Sequence, residues 1–179
     1  MILKIDPKTE LHQLKISDSE DIFKLINHQR GYLGKWLPFV AKTKNPEDTL
    51  HYIESVVKAP EDQFEYVFTI RYENEITGLL GFKDTDKENK KTEIGYWISE
   101  KFQKRGIVTR SVERICNFAF HNLQMNRIQI KCAVGNSASE KIPQRLGFQY
   151  EGIEREGELL SANNFTDLKV YSKLKSDLT

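Results

Sequence analysis

The sequence predicts an α/β (α+β) fold, with one mixed, mainly antiparallel sheet flanked by helices, in a single domain spanning 1–179. Three observations carry this. The 179 residues suffice for one full hydrophobic core, and a second would strain the usual size of roughly 100 to 200 residues per domain. Between Phe64 and Ile98 the apolar residues fall in β-branched and aromatic runs broken by short polar turns. After Gly106 the period changes, because Val108, Val112, Ile115, Ala119 and Leu123 fall along one stripe of a helix.

The elements follow in order. Leu11, Leu14 and Ile16 suggest a first strand, and Ser17 with Glu20 forms a capping-box pattern ahead of Ile22, Phe23, Leu25 and Ile26 at helical spacing. Gly31 to Phe39, with two glycines, a proline and large apolar side chains, suits a loop or short helix. Asn45, Pro46, Glu47 and Asp48 combine a cap, a proline at the first helical position and first-turn acids, so a second helix runs to about Lys58. Strands are expected over 64–72, 76–83 and 92–98, the first two joined at Glu73, Asn74 and Glu75. Beyond the helical stripe, Ile128, Ile130 and Cys132 alternate inward along a strand over 127–134. Asn136 and Ser137-x-x-Glu140 cap a short helix ending at Leu146 and Gly147. Pro143 should kink that helix by removing the bond to the Ser139 carbonyl. Strands over 148–153 and 165–174 close the domain. No repeat, low-complexity tract or linker interrupts the chain.

Composition excludes several classes of function. Lys and Arg number 27 against 26 Asp and Glu, so no net field draws nucleic acid or an anionic membrane surface. No window approaches the roughly 18 apolar residues of a membrane span, and the N-terminus lacks the regions of a signal peptide, which points to a cytoplasmic protein. Cys116 and Cys132 share no Cys-x-x-Cys spacing and should pack as small apolar residues. His12, His28, His51 and His121 show no paired spacing, so no metal is expected.

The segment Phe102 to Arg110 leaves a strand and opens a long helix. Such a junction gathers unpaired backbone N–H groups and the positive end of the helix dipole, which together suit a pyrophosphate. Gly106 permits close approach, and Lys104, Arg105 and Arg110 add positive charge. Gln103-x-x-Gly106-x-Val108 resembles the Gln/Arg-x-x-Gly-x-Gly/Ala signature of the Gcn5-related N-acetyltransferase (GNAT) superfamily, with Val108 departing at the last position. Its side chain should point into the core stripe and leave the loop competent. Val134 to Glu140 and Arg145 to Phe148 resemble the Asn-x-x-Ser and Leu-Gly-Phe elements of the branch that acetylates ribosomal-protein N-termini, and Gly34 to Leu37 resembles the same branch.

The resemblance implies the GNAT fold, with splayed central strands holding acetyl-CoA, and transfer of acetyl to a primary amine by direct attack in a ternary complex. Cofactor contacts would come from Trp97, Ile98, Gln103, Lys104, Arg105, Gly106, Val108, Thr109, Asn136 and Ser139, with a backbone N–H near Ile98 facing the thioester carbonyl. Ser139 would protonate the departing thiolate. Glu158 matches the position of the branch's proposed base, and Glu156 and Glu93 remain open as alternatives, Glu154 to Glu156 being read as a charged turn. The acceptor is then a protein N-terminus, ribosomal by branch, with a polyamine or small amino compound, or a non-catalytic acyl-CoA-binding module, as the alternatives. Oligomeric state, a homodimer included, stays open.

Overall fold

The computed structural model describes residues 1–161 and 163–178. The chain runs β1 (Ile2–Asp6), β2 (Thr9–Gln13), a 3-10 turn (Ile16–Asp18), α1 (Ser19–Asn27), α2 (Arg30–Leu33), α3 (Phe39–Lys42), α4 (Pro46–Val57), β3 (Val67–Tyr72) and β4 (Glu75–Asp86). It continues through β5 (Lys91–Ile98), a 3-10 turn (Glu100–Phe102), α5 (Ile107–His121), β6 (Arg127–Ala133), α6 (Ser137–Arg145), β7 (Gln149–Ser161), β8 (Asn164–Leu174) and a closing 3-10 turn (Lys175–Leu178). The strands form one eight-stranded sheet in the order β1-β2-β3-β4-β5-β6-β8-β7. The β5–β6 pair is parallel, whereas β1–β2, β2–β3, β3–β4, β6–β8 and β7–β8 are antiparallel. The parallel ladder has only three pairs, ending at Glu93↔Gln129, although β5 runs on to Ile98 and β6 to Ala133. Among the described residues no helix is long and apolar enough to cross a membrane.

Two compact units divide the chain, the first formed by Met1–Gly81 with Tyr96–Ile107. Its core gathers Leu14, Ile22, Ile26, Leu33, Val40, Ile53, Val67, Ile76, Leu79 and Trp97. Helix α4 starts where the sequence places it, since Asn45 Oδ1 accepts the Asp48 N–H at 3.0 Å while Asp48 Oδ2 accepts the Asn45 N–H at 3.0 Å. The β3–β4 hairpin closes through a two-residue turn in which Glu73 (φ 50°) and Asn74 (φ 68°) are both left-handed, as a type I′ turn requires. At the N-terminus the expectation of one strand is corrected to two. In β1 only Leu3 is buried, so no apolar alternation announces it, and Ile16 opens a 3-10 turn beyond β2. The first helix likewise begins at Ser19 rather than after a Ser17 cap, because Asp18 Oδ2 takes the Lys15 N–H at 3.0 Å and Glu20 pairs with Lys24 at 2.7 Å.

The second unit combines Phe82–Gly95 with the chain from Val108 onward. Val108, Val112, Ile115 and Ala119 of α5 are buried as the stripe predicts, and the helix ends at His121, before Leu123. In β6, Ile128, Ile130 and Cys132 are buried while Gln129 and Lys131 on the other face are only partly so. Both cysteines are buried and reduced. The reading of Glu154 to Glu156 as a turn is corrected, because β7 continues past them, with a bulge, to Ser161. The register against β8 shifts between Glu154 and Glu158, and Glu156 absorbs the irregularity with a left-handed φ of 49°.

Candidate active site

The loop from Ser99 to Ile107 is closed by local bonds, Phe102 N–H to Ser99 O at 3.0 Å and Gln103 N–H to Glu100 O at 3.1 Å. Lys104 (φ 61°) and Gly106 (φ 70°) are both left-handed and turn the backbone into α5. Gly106 is therefore required by conformation, and Lys104 is a side-chain-bearing residue held where few such residues sit. Gln103 Nε2 donates to the Tyr32 hydroxyl, and the Arg105 guanidinium lies over the Phe102 ring at 5.2 Å and the Tyr72 ring at 5.8 Å. What this loop offers a phosphate is accordingly backbone first: the opening N–H groups of a 15-residue helix at Ile107, Val108 and Thr109. Val108 turns its side chain inward, and Thr109 is half-buried. Upstream, Trp97 is 9% exposed and belongs to the core, its ring tilted against Phe39 at 6.5 Å. Ile98 is buried beside it.

In the second unit, Gly135 (φ 91°) turns the chain from β6 into α6. Asn136 caps that helix, its Oδ1 accepting the Ser139 N–H at 3.2 Å, and the Ser139 hydroxyl donates to Cys132 Sγ at 3.4 Å. Glu140 fastens the same turn to β8 by accepting the Tyr171 hydroxyl at 2.8 Å and pairing with Lys169 at 2.6 Å. The helix continues through Pro143 to Arg145, and the Pro143 carbonyl accepts the Phe148 N–H at 2.9 Å.

The three candidate bases separate by environment. Glu93 has a side chain only 8% exposed, with Lys83 Nζ at 2.8 Å, Lys131 Nζ at 3.7 Å and Gln129 Nε2 donating at 3.3 Å. It is a compensated buried carboxylate. Glu156 is exposed in the bulge, its N–H bonded to Asp167 Oδ1 at 2.8 Å. Glu158 is half-buried, and burial pushes its carboxyl above the ordinary glutamate range, with Lys83 and Lys131 opposing the rise and Glu93 adding to it.

Strand pairing fixes which side chains share a face. Glu93 pairs with Gln129, Lys131 with Val170, Glu154 with Leu168 and Glu158 with Thr166. Alternation along β6 and β8 therefore puts Glu93, Gln129, Lys131, Glu154 and Glu158 on one face. Cys132, Lys169 and Tyr171, the partners of α6, lie on the opposite face. Ser139, bonded to Cys132, and Glu158 thus lie toward opposite sides of the sheet. Lys83, Lys131 and Glu154 escape sequence reasoning because they come from separate strands and share no spacing. Cys132 is legible as a core residue but not as the partner of Ser139. Among the described residues no group of three or more His, Cys, Asp or Glu gathers as a metal would require.

The model of the acetyltransferase (GNAT) domain family matches residues 8–149. The chain belongs to the GNAT acetyltransferase family. YdaF of Bacillus subtilis (strain 168), grouped by name with the ribosomal N-acetyltransferases, is 33% identical over 97% of this chain and 95% of its own length. The ribosomal-protein-serine acetyltransferase of Escherichia coli (strain K12) is 26% identical over 96% of each chain. The solved structure of RimL, a ribosomal L7/L12 alpha-N-protein acetyltransferase in complex with coenzyme A, superposes with a TM-score of 0.92 at 25% identity, covering 97% of this chain and 98% of that one. This protein is therefore an acetyl-CoA-dependent N-acetyltransferase. Its left-handed loop into α5 and its polar β6–α6 junction are chemically suited to the pyrophosphate and amide groups of that donor.

Proposed function

We propose that this acetyltransferase is one domain acting in the cytoplasm on the α-amino group of a protein N-terminus, a ribosomal protein by kinship, with Glu158 as the base and Ser139 as the acid. The observation that carries the proposal is the half-buried Glu158 carboxylate, whose proton affinity is raised by burial. An α-amine has a reference pKa of about 7.7 to 8.0, so a carboxylate tuned upward is a sufficient proton acceptor, whereas a lysine near 10.4 would cost nearly 5 kcal/mol to deprotonate at pH 7. Asn136 holds the first turn of α6, on which Ser139 sits, and the Ser139 hydroxyl rests on Cys132 Sγ at 3.4 Å. By family, the pantetheine arm is expected along β5 toward Ile98 and the phosphates at the backbone N–H groups of Lys104 to Thr109. A polycationic acceptor is less suited, because Glu93 is paired with Lys83, and Asp86 is held by Asn89 and lies 3.7 Å from Lys91. The test is incubation with acetyl-CoA and a panel of peptide N-termini, lysine peptides with blocked N-termini and polyamines, with product mass read directly. Acetylation confined to free α-amines is expected; turnover of polyamines alone would overturn the acceptor assignment.

A further inference from the structure

Between Lys83 on β4 and Glu154 on β7 runs a line of alternating charge that the acetyl-transfer chemistry does not by itself require. Lys83 Nζ lies 2.8 Å from Glu93 Oε1, Glu93 Oε2 lies 3.7 Å from Lys131 Nζ, and Lys131 Nζ lies 2.7 Å from Glu154 Oε2. The line spans the face of the sheet that carries Glu158, and Lys131 is its pivot, since its ammonium alone touches both acids. Reaching Glu154 from β6 means passing over β8, where the residues on this face are Thr166, Leu168 and Val170, none of them charged. The charged groups that act on Glu158 are Lys83 from β4, Glu93 from β5 and Lys131 from β6, while Asp84 from β4 and Glu154 from β7 act on Lys131.

We propose that Lys131 is a positioning residue for the acceptor side of the reaction: by bridging Glu93 and Glu154 it sets the local field in which Glu158 takes and holds a proton. The lysine is itself three-quarters covered, so its charge is screened less than that of an ordinary surface lysine, and loss of its headgroup leaves Glu154 without the ammonium at 2.7 Å and Glu93 with Lys83 and the Gln129 amide. The direction of each effect follows. Lys131 favours the ionised form of Glu158 and Glu93 disfavours it, so removing one charge or the other must move Glu158 in opposite senses. A part confined to stability would show no such opposition.

The inference rests on Glu158 as the base for its catalytic meaning, but the protonation of Glu158 can be read without activity. Carboxyl-carbon NMR titration of Glu158 should give a midpoint shifted up in Lys131→Met, shifted down in Glu93→Gln, and restored toward the parent in Lys131→Arg. In the same variants the acidic limb of kcat/KM should move with the midpoint, while acetyl-CoA affinity stays unchanged. A Glu158 midpoint that is unmoved, or moved the same way by both charge removals, overturns the proposal. Should the midpoints move as expected while Glu158→Gln leaves the acidic limb of the parent profile intact, the field effect stands and the assignment of Glu158 as base falls.

Discussion

Replacing Glu158 by Gln removes the proposed proton acceptor while keeping its size. At pH 6 an α-amine of pKa near 8 is about 1% neutral and at pH 9 about 90%, so without a base the fraction of attacking amine changes by roughly ninetyfold across that range. With Glu158 as the proposed base, the parent enzyme would use the ammonium form by drawing off its proton and would be buffered against the change until Glu158 itself protonates, at a pH above the ordinary glutamate value. The deficit of the variant should therefore be largest near pH 6 and shrink toward pH 9, by up to roughly ninetyfold. Ser139→Ala makes the contrast. Its cap bond survives, because Asn136 Oδ1 accepts the backbone N–H of residue 139, and the lost hydroxyl contact is to Cys132. Turnover should fall by about a hundredfold to ten-thousandfold at every pH, since the thiolate must be protonated whatever the state of the amine. The assay is thiol release from acetyl-CoA with a peptide acceptor over pH 6 to 9, alongside thermal melts. Gln in place of a partly desolvated carboxylate should not lower the melting temperature, so a loss of activity is chemical. A Glu158→Gln profile parallel to the parent's would refute the assignment of the base.

Three further outcomes follow from the geometry. A Cβ on Gly78 would stand 2.1 Å from the Trp97 carbonyl, so Gly78→Ala should displace β5 around Ile98, cost about 1 to 3 kcal/mol in denaturant melts and weaken acetyl-CoA binding; unchanged melts and binding would show that β5 gives way freely there. At the loop into α5, Gly106→Ala should cost about 1 to 2 kcal/mol by forcing a side chain into the left-handed region, and Gly106→Pro should abolish coenzyme A binding in calorimetry by locking φ near −65°. Glu151 takes two bonds from Arg127, at 2.7 and 2.5 Å, and the guanidinium holds its carboxyl down to about 2 from a starting value of 4.5. A lowered folded-state pKa stabilises above the unfolded value and is lost as pH falls toward 2. Glu151→Gln should therefore cost about 1 kcal/mol at pH 7 after allowance for solvent screening, and nothing near pH 2, in urea titrations at both pH values.

What the sequence discloses is what local physics determines. The stripe on α5 and the caps at Asn45 and Asn136 are readable because a helix repeats its neighbours every three or four residues and states its start in one side chain. β1 is unreadable because it hides only Leu3, and the middle of β7 reads as a turn because Glu154, Arg155 and Glu156 have the composition of one while tertiary pairing with β8 overrides it. In the candidate site, the glycine loop and the asparagine–serine pair are picked out by motif. The environment that separates Glu158 from Glu93 is made by Lys83 and Lys131, brought in from other strands, and no local pattern encodes it.

β7 is also the last strand of the sheet, and a straight outer strand of 13 residues would be an open template for other chains. It is not straight. Its register breaks after Tyr150, after Glu154 and after Leu159, leaving runs too short and too twisted for a foreign strand to zip along. Leu159 and Phe165, opposite each other at the far end of the β7–β8 pair, are 44% and 52% exposed, the kind of greasy pair that would otherwise seed fibrils at an unguarded margin. The breaks in register that accompany the Glu158 segment thus also blunt the outer edge of the sheet against strand pairing.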